Sequence, residues 1–412
     1  MPFELRVALR YLTARRKQAF ISLISAISVL GVTVGVMALM IALGLMTGLQ
    51  GEIRSRILGA TAHLSIFRSQ SEAFEDYRQV MAAVRRVPRV QGSAPTLYSK
   101  ALLSSASNSA VATLKGIVPK EERTVTELAS QLQGGVRLEE LADPGQGLPP
   151  ILLGRDLASS LGVGPGDVVS VTSPQGRLSP MGVLPRVAKL RVLGTVRSGL
   201  YEFDYAWAYV PLVTAQRLFG DGDRVSLVEV RIDDSYAVKD VAAAVLTALG
   251  SGYLTTDWIQ MNGSLFSALW LEKTAIAITI GLIVMVAALN IVATLILMVM
   301  EKHKDIAILV SMGASRAAIR RIFVLQGAVI GALGTFTGAG LGWAACGILD
   351  RYRLIQVPGQ EEVYQISYVP FTLLPSDAAV VVVGALLTCF LATIYPARGA
   401  ARLDPAEALR YE

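Results

Sequence analysis

Four stretches of this 412-residue chain contain no Asp, Glu, Lys or Arg: 18–51, 274–300, 322–349 and 378–397, which are 34, 27, 28 and 20 residues long. An α-helix rises about 1.5 Å per residue and the hydrocarbon core of a bilayer is about 30 Å thick, so roughly 20 apolar residues cross it. Each stretch is long enough. Apolar residues make up 53% of the chain, charged residues 17%, and the mean hydropathy is +0.51. Soluble domains carry about 25% charged residues, so soluble globular, disordered and collagen-like classes are excluded. The pattern predicts a membrane protein with four transmembrane helices.

The charges between the stretches set the orientation. Residues 1–17, 301–321 and 398–412 together hold 13 basic and 6 acidic residues, whereas the remaining chain holds 25 and 26. The net charge of +6 therefore arises in short segments that alternate with the spans, as the positive-inside rule expects of cytoplasmic segments. Both termini and 301–321 are expected inside, and the long stretch 52–273 and the short stretch 350–377 outside. Basic charge here encodes topology rather than a nucleic-acid partner.

Cys346 and Cys389 both fall in the spans. The external region has no cysteine, so its own hydrophobic core must hold it together. The first apolar run is more than twice the roughly 7–15 residues of a signal peptide and reads as an uncleaved signal anchor. Residues 1–17 interleave Phe3, Leu5, Val7, Leu9 and Leu12 with arginines, the pattern of a cytoplasmic interfacial helix. A basic flank that only sets topology fits equally well. As a helix, 18–51 is about 51 Å long, some dozen residues more than a bilayer needs. Residues 258–273 add a similar apolar extension ahead of the second span. Residues 18–50 and 258–300 are thus each expected to combine a span with an outer stalk.

Residues 51–257 have the texture of a soluble domain. Helical patterns fall at 72–87, 121–132, 155–161, 214–219 and 236–249. Strand-like runs fall at 63–67, 97–105, 110–117, 168–172, 190–196, 206–210 and 227–232. Their irregular alternation predicts an α+β domain of two subdomains, with a Gly/Pro-rich joint at 143–150. The expected fold is an α-helical membrane domain of four transmembrane helices with a large α+β extracytoplasmic domain inserted between helices 1 and 2. Within that domain, 173–186 (SPQGRLSPMGVLPR) reads as a 14-residue loop between two strands, where hairpins use about 2–5 residues. Prolines stiffen it, and Leu178, Met181, Val183 and Leu184 put apolar side chains near its tip. That profile suits a partner-binding element; a loop folded onto its own domain is the plain alternative.

Absences in the sequence narrow the chemistry. There is no Gly-Lys dipeptide, hence no G-x-x-x-x-G-K-[ST] phosphate loop, and no G-x-S-x-G nucleophile element. The two histidines, His63 and His303, fall on opposite sides of the membrane, so no metal-ligand cluster is expected. His63 sits in an apolar run and reads as a packed residue. No catalytic residue is assigned. The spans hold no acid or base for an ion pathway, and Asn290 with a few Ser and Thr suffices for interhelical hydrogen bonds. Gly327, Gly331, Gly334, Gly338 and Gly342 recur at helical spacing and let helices approach closely. Gly31 and Gly35 mark either a dimer face or packing within one subunit.

Segment 301–321 (EKHKDIAILVSMGASRAAIRR) carries an apolar stripe of Ile306, Ile308, Leu309 and Met312, a break at Gly313 and a cap at Ser315. A short amphipathic helix on the cytoplasmic face suits docking into a partner's groove. A solvated connector would leave four apolar residues without burial.

The stretch KDIAILVSMGAS at 304–315 resembles the coupling helix of permease subunits in ATP-binding-cassette systems of the FtsX/MacB type, and LDPAEALRY at 403–411 resembles their C-terminal ending. The chain order is similar throughout: one span, a large extracytoplasmic domain, three spans. Within that superfamily the chain resembles the lipoprotein-releasing LolC/LolE (or LolF) branch, over residues 3–50, at SGLYEFDYAWAYVPL (198–212), and at LSPMGVLPR (178–186), which is similar to the hook of LolC-type subunits.

The resemblance implies a non-catalytic subunit with no cofactor of its own, in the bacterial inner membrane, with the domain 51–257 in the periplasm. It implies a separate LolD-like ATPase that binds ATP and Mg and docks on 301–321 through Lys304, Asp305, Ile306, Ile308, Leu309, Met312 and Gly313. It implies a second permease subunit, either the same chain or a paralogue. A LolA-like carrier is seized by the hook, with Pro174, Pro180, Met181 and Pro185 at the matching positions. Lipoproteins enter from the outer leaflet between the first two spans, with Met40, Leu43, Met46, Leu265 and Leu269 expected to face the cargo. The third and fourth spans are then 322–349 and 378–397, joined by a periplasmic loop at 350–377 and followed by a cytoplasmic tail at 398–412.

Three other readings share parts of this pattern. A MacB-like exporter permease usually carries its ATPase on the same chain and lacks the hook. An FtsX-like activator of cell-wall hydrolases typically has a smaller external domain. A ligand-sensing membrane receptor leaves the stripe at 306–312 unexplained.

Overall fold

The computed structural model of the chain describes residues 4, 6–8, 19–69, 71, 73–142, 147–179, 182–220, 222–355 and 368–401. Among the described residues four helices are long and apolar enough to cross a membrane: α1 (Ala19–Ala60), α2 (Gly263–Glu301), α4 (Arg316–Tyr352) and α5 (Pro375–Ala400). A short helix, α3 (His303–Ser311), lies between α2 and α4. The first two long helices flank a large α+β domain, the architecture expected from the charge-free stretches. Most of the segment 1–17, the joint residues 143–146, Pro180 and Met181 of the expected hook, and the tail 402–412 lie outside the described residues.

Close approach of the spanning helices is built on glycine. A Cβ at Gly331 would stand 2.6 Å from the Cβ of Cys389 on α5, and one at Gly338 would stand 2.5 Å from the Thr33 carbonyl oxygen on α1. The glycines of α4 therefore divide between two neighbours, and small residues let the backbones meet. Gly35 rests against Val284 of α2 at an ordinary 3.5 Å and Gly31 against Ala287 at 3.9 Å. That pair packs within the chain. Hydroxyls fasten the same contacts, Ser28 with Thr294 at 2.6 Å and Thr33 with Thr337 at 2.9 Å.

The inserted domain contains nine strands among the described residues: β1 (Leu64–Arg68), β2 (Val90–Ser104), β3 (Ser109–Ile117), β4 (Pro150–Gly154), β5 (Val168–Ser179), β6 (Gly182–Val196), β7 (Trp207–Pro211), β8 (Leu227–Ile232) and β9 (Tyr253–Asp257). Their order is β3-β7-β4-β6-β5-β2-β8-β1-β9, and β3 also pairs with β2. Six of the strands thus pair in a full circle, while β2-β8-β1-β9 extend from it. β2 belongs to both systems: Thr96 lies opposite Leu227 of β8, and Leu97 lies opposite Gly116 of β3. One strand, β2, therefore runs through both the closed and the extended part of the sheet. Alternation places Leu64, Ile66, Val228 and Val230 in one buried layer. Helices Tyr77–Val84 and Val238–Leu249 cover it with Val80, Val84, Val241 and Val245.

Candidate functional site

Three regions carry the residues singled out by sequence. The first is the turn around α3. Gly313 adopts φ +98°, a left-handed conformation that suits glycine, and its N–H donates to the Val310 carbonyl at 3.0 Å, ending α3. The Ser315 hydroxyl then accepts from the Ala318 N–H at 3.2 Å and starts α4. Within α3 the expected stripe is divided. Ile306 is buried with Ile319, Ile322 and Phe323, inside the cytoplasmic-end core of its own chain. Ile308 is 49% exposed and Met312 79% exposed, and Leu309 is half-buried. Ile306 thus packs into this core, because its position on α3 turns it onto α4. Lys304 is exposed, and Asp305 pairs with Lys302 at 3.2 Å.

The second region is 173–186. It is not a long loop. Strands β5 and β6 continue through it as an antiparallel ribbon, with Arg177 opposite Leu184, Leu178 opposite Val183 and Ser179 opposite Gly182. Pro174 falls in the register shift between Ser173 and Gly176, a place in a ladder that suits proline, whereas Pro185 lies opposite Gly176. Pro174 and Pro185 are exposed. Beside the base of the ribbon lie two cavities of about 520 and 440 Å³ that share Pro185 as a wall. Leu102, Val111, Leu184 and Val187 are exposed there, an apolar surface beside β5 and β6.

The third region is the outer half of α1 with the start of α2. Met40, Leu43, Met46 and Leu269, the residues expected to face the cargo, are buried within the chain. Glycines of α4 draw it against α1, and a Cβ at Gly342 would come within 2.7 Å of the Met40 Cβ. Leu265 stays 38% exposed. The open apolar side chains of this stretch are instead Trp270 and Leu271, at 68% and 64% exposure. An aromatic at a membrane boundary was the available sequence signal for Trp270. Asp377, at the start of α5, accepts from Thr47 at 2.9 Å and from Lys273 at 3.5 Å, tying three helices together.

One charged cluster was missed altogether. Lys115 of β3 is buried, and its ammonium donates to Glu122 and to Glu229 of β8, both at 2.8 Å. The Tyr98 hydroxyl donates to Glu229 at 2.6 Å and Thr126 to Glu122 at 2.8 Å. The signal was a charge at an inward register in otherwise apolar strands (ATLKGI and LVEVRI). His63 is packed, its Nδ1 accepting from the Ile232 N–H at 3.4 Å. Burial and the nearby Arg231 hold its pKa below the usual histidine range. Among the described residues no group of His, Cys, Asp or Glu is arranged to hold a metal ion.

A helical span, an inserted α+β domain with a long ribbon, and three further helices around a cytoplasmic turn define a multi-pass membrane permease. Residues 25–248 match the MacB-like periplasmic core domain and 277–405 match the FtsX-like permease C-terminal family. The chain is 37% identical to the lipoprotein-releasing system transmembrane protein LolC of Xylella fastidiosa, covering 100% of this chain and 99% of that one. It is 34% identical to LolC of Neisseria meningitidis over 99% of each chain, and 28% identical to LolE of Haemophilus influenzae over 98% of each. The chain belongs to the LolC/LolE family within the FtsX/MacB permease superfamily.

Proposed function

We propose that this chain is the permease subunit of an ATP-binding-cassette transporter that lifts lipoproteins out of the outer leaflet of the inner membrane and passes them to a soluble periplasmic carrier. The observation that carries this reading is the end-to-end match to transmembrane proteins of lipoprotein-releasing systems. A separate ATPase binds ATP and Mg and docks on Lys304, Asp305, Ile308, Leu309 and Met312, with Gly313 shaping the turn. A second permease subunit completes the membrane part. The ribbon 173–186, with Pro174, Pro180, Met181 and Pro185, takes the carrier against its apolar base. Extraction needs work, because each acyl methylene leaving the bilayer costs about 0.8 kcal/mol. The charge-free spans suit an acylated cargo rather than an ion.

Reconstitution tests this directly. Liposomes holding the full chain, its ATPase and its second permease subunit are loaded with an acylated protein and given a soluble carrier. Transfer to the carrier is expected only with hydrolysable ATP, and a photo-crosslinker replacing Met181 is expected to capture the carrier. Transfer without nucleotide, or capture of a cell-wall hydrolase at Met181 in place of the carrier, rejects the proposal.

A further inference from the structure

Two adjoining cavities lie at the cytoplasmic ends of the spanning helices. One, of about 310 Å³, is lined by Arg316 and Arg320 of α4 and Arg398 of α5, with Ala317 and Ala401 between them. The other, of about 580 Å³, is lined by Ile296, Val299 and Met300 in the last turns of α2 and by Tyr395 and Arg398 of α5. Arg398 belongs to both. The first cavity is cationic and the second is mainly apolar.

Two cations close to these arginines have carboxylate partners. Lys302 pairs with Asp305 at 3.2 Å and Arg321 approaches Glu4 at 3.8 Å. Among the described residues no carboxylate pairs with Arg316, Arg320 or Arg398, and all three are exposed. Arg316 and Arg320 are four residues apart and share a helix face. Guanidinium groups match phosphate oxygens bidentately. Basic pockets between helices on the cytoplasmic side are suited to anionic lipid headgroups.

We propose that these cavities together hold one diacyl phospholipid with a net negative headgroup, drawn from the inner leaflet. Its phosphate lies among Arg316, Arg320 and Arg398, and an acyl chain runs along Ile296, Val299 and Met300. Charge selects the headgroup and the neighbouring apolar wall selects an amphiphile over a free anion. Because the site joins the ends of α2, α4 and α5 beside α3, its occupant steadies the turn that follows the second span.

Native mass spectrometry of the detergent-purified full chain tests this with dioleoylphosphatidylglycerol and dioleoylphosphatidylcholine as probes. The anionic lipid is expected to be retained at least tenfold better, since each arginine near an anionic lipid contributes on the order of fivefold. The triple variant R316Q/R320Q/R398Q is expected to lose that preference. Ile296→Trp, at a partly exposed wall residue, fills the apolar cavity and keeps every charge, and is expected to reduce retention several-fold. Arg398→Gln alone, a surface change, is expected to lower it about fivefold and guards against misfolding of the triple variant. Millimolar inorganic phosphate is expected not to displace the lipid. Displacement by phosphate identifies a free-anion site and overturns the proposal. Unchanged retention in Ile296→Trp identifies diffuse attraction of a basic surface and also overturns it. Loss of bound lipid when the ATPase subunit is added shows a protein interface instead.

Discussion

At the scale of single residues, the strongest constraint is the ammonium of Lys115 between two carboxylates. Burial, together with the Glu229 charge, holds the Glu122 carboxyl above its ordinary value of 4.5 against the pull of Lys115 and Thr126. Burial alone lowers Lys115, but Glu122 and Glu229 outweigh it and hold the ammonium well above its usual range. The folded chain therefore binds a proton at Glu122 more tightly than the unfolded chain does. Stability from this linkage is complete below pH 4.5 and declines as pH rises through the raised folded value. Lys115 has the same sign, but its loss begins only above its ordinary value of 10.5. The difference in unfolding free energy between the wild-type chain and Glu122→Gln is thus expected to shift against the wild type as pH rises from 4.5. Thermal unfolding across that range checks it, and a difference independent of pH rejects the assignment. Lys115→Met leaves two carboxylates buried without their cation and is expected to cost about 3–5 kcal/mol. A midpoint unchanged from wild type at pH 7 would mean the cluster is hydrated rather than buried.

At the scale of elements, the sequence was most informative where turn residues bracket a regular pattern. Residues 155–161 and 227–232 are the helix and strand expected, bounded by Gly154 and Gly162 in the first case. It was least informative where proline sits inside a ladder. β4 begins on Pro150 directly after a Gly/Pro-rich stretch, and the ribbon of β5 and β6 holds Pro174 and Pro185. Both read as irregular, because proline lacks an N–H and its pairing context is invisible locally. β9 (YLTTD) has too little apolar alternation to stand out. On α3 the sequence supplied the apolar stripe but not its division between core and surface, which depends on how α4 packs. That division separates two substitutions. Met312→Asp is expected to leave stability within about 0.5 kcal/mol, as for an exposed site, while abolishing co-purification of the ATPase. Ile306→Ala is expected to cost about 2–5 kcal/mol, as for a buried isoleucine. Thermal unfolding and affinity pull-down of the ATPase distinguish them, and an ATPase retained by Met312→Asp removes this surface from the docking site.

At the scale of the whole molecule, charge-free length alone made the spans legible, since no soluble fold needs 20 or more such residues in a row. Which faces of those spans pair within the chain was not legible, because apolar side chains look alike whether they meet a helix or lipid. The structure separates them at α2. Val284, Ala288, Ile291 and Leu295 are buried, whereas Ile283, Val286, Leu289 and Leu297 are exposed. Asn290 lies on the exposed side and makes no side-chain hydrogen bond among the described residues. An amide facing hydrocarbon is costly unless a partner satisfies it. An asparagine both donates and accepts, so it can pair with a polar group of a neighbouring helix. Small Ala293 beside it permits close approach. If the second permease subunit meets this face of α2, Asn290→Leu weakens the pairing by about 0.6–2 kcal/mol, the range for hydrogen bonds between membrane helices. The chain's own fold stays intact, since no internal contact is removed. Co-purification of the two permease subunits through a tag on one of them, compared with the thermal midpoint of the tagged chain alone, reads both effects. Pairing unchanged in Asn290→Leu, with the midpoint unchanged as well, would assign this face to lipid and move the subunit interface to another helix.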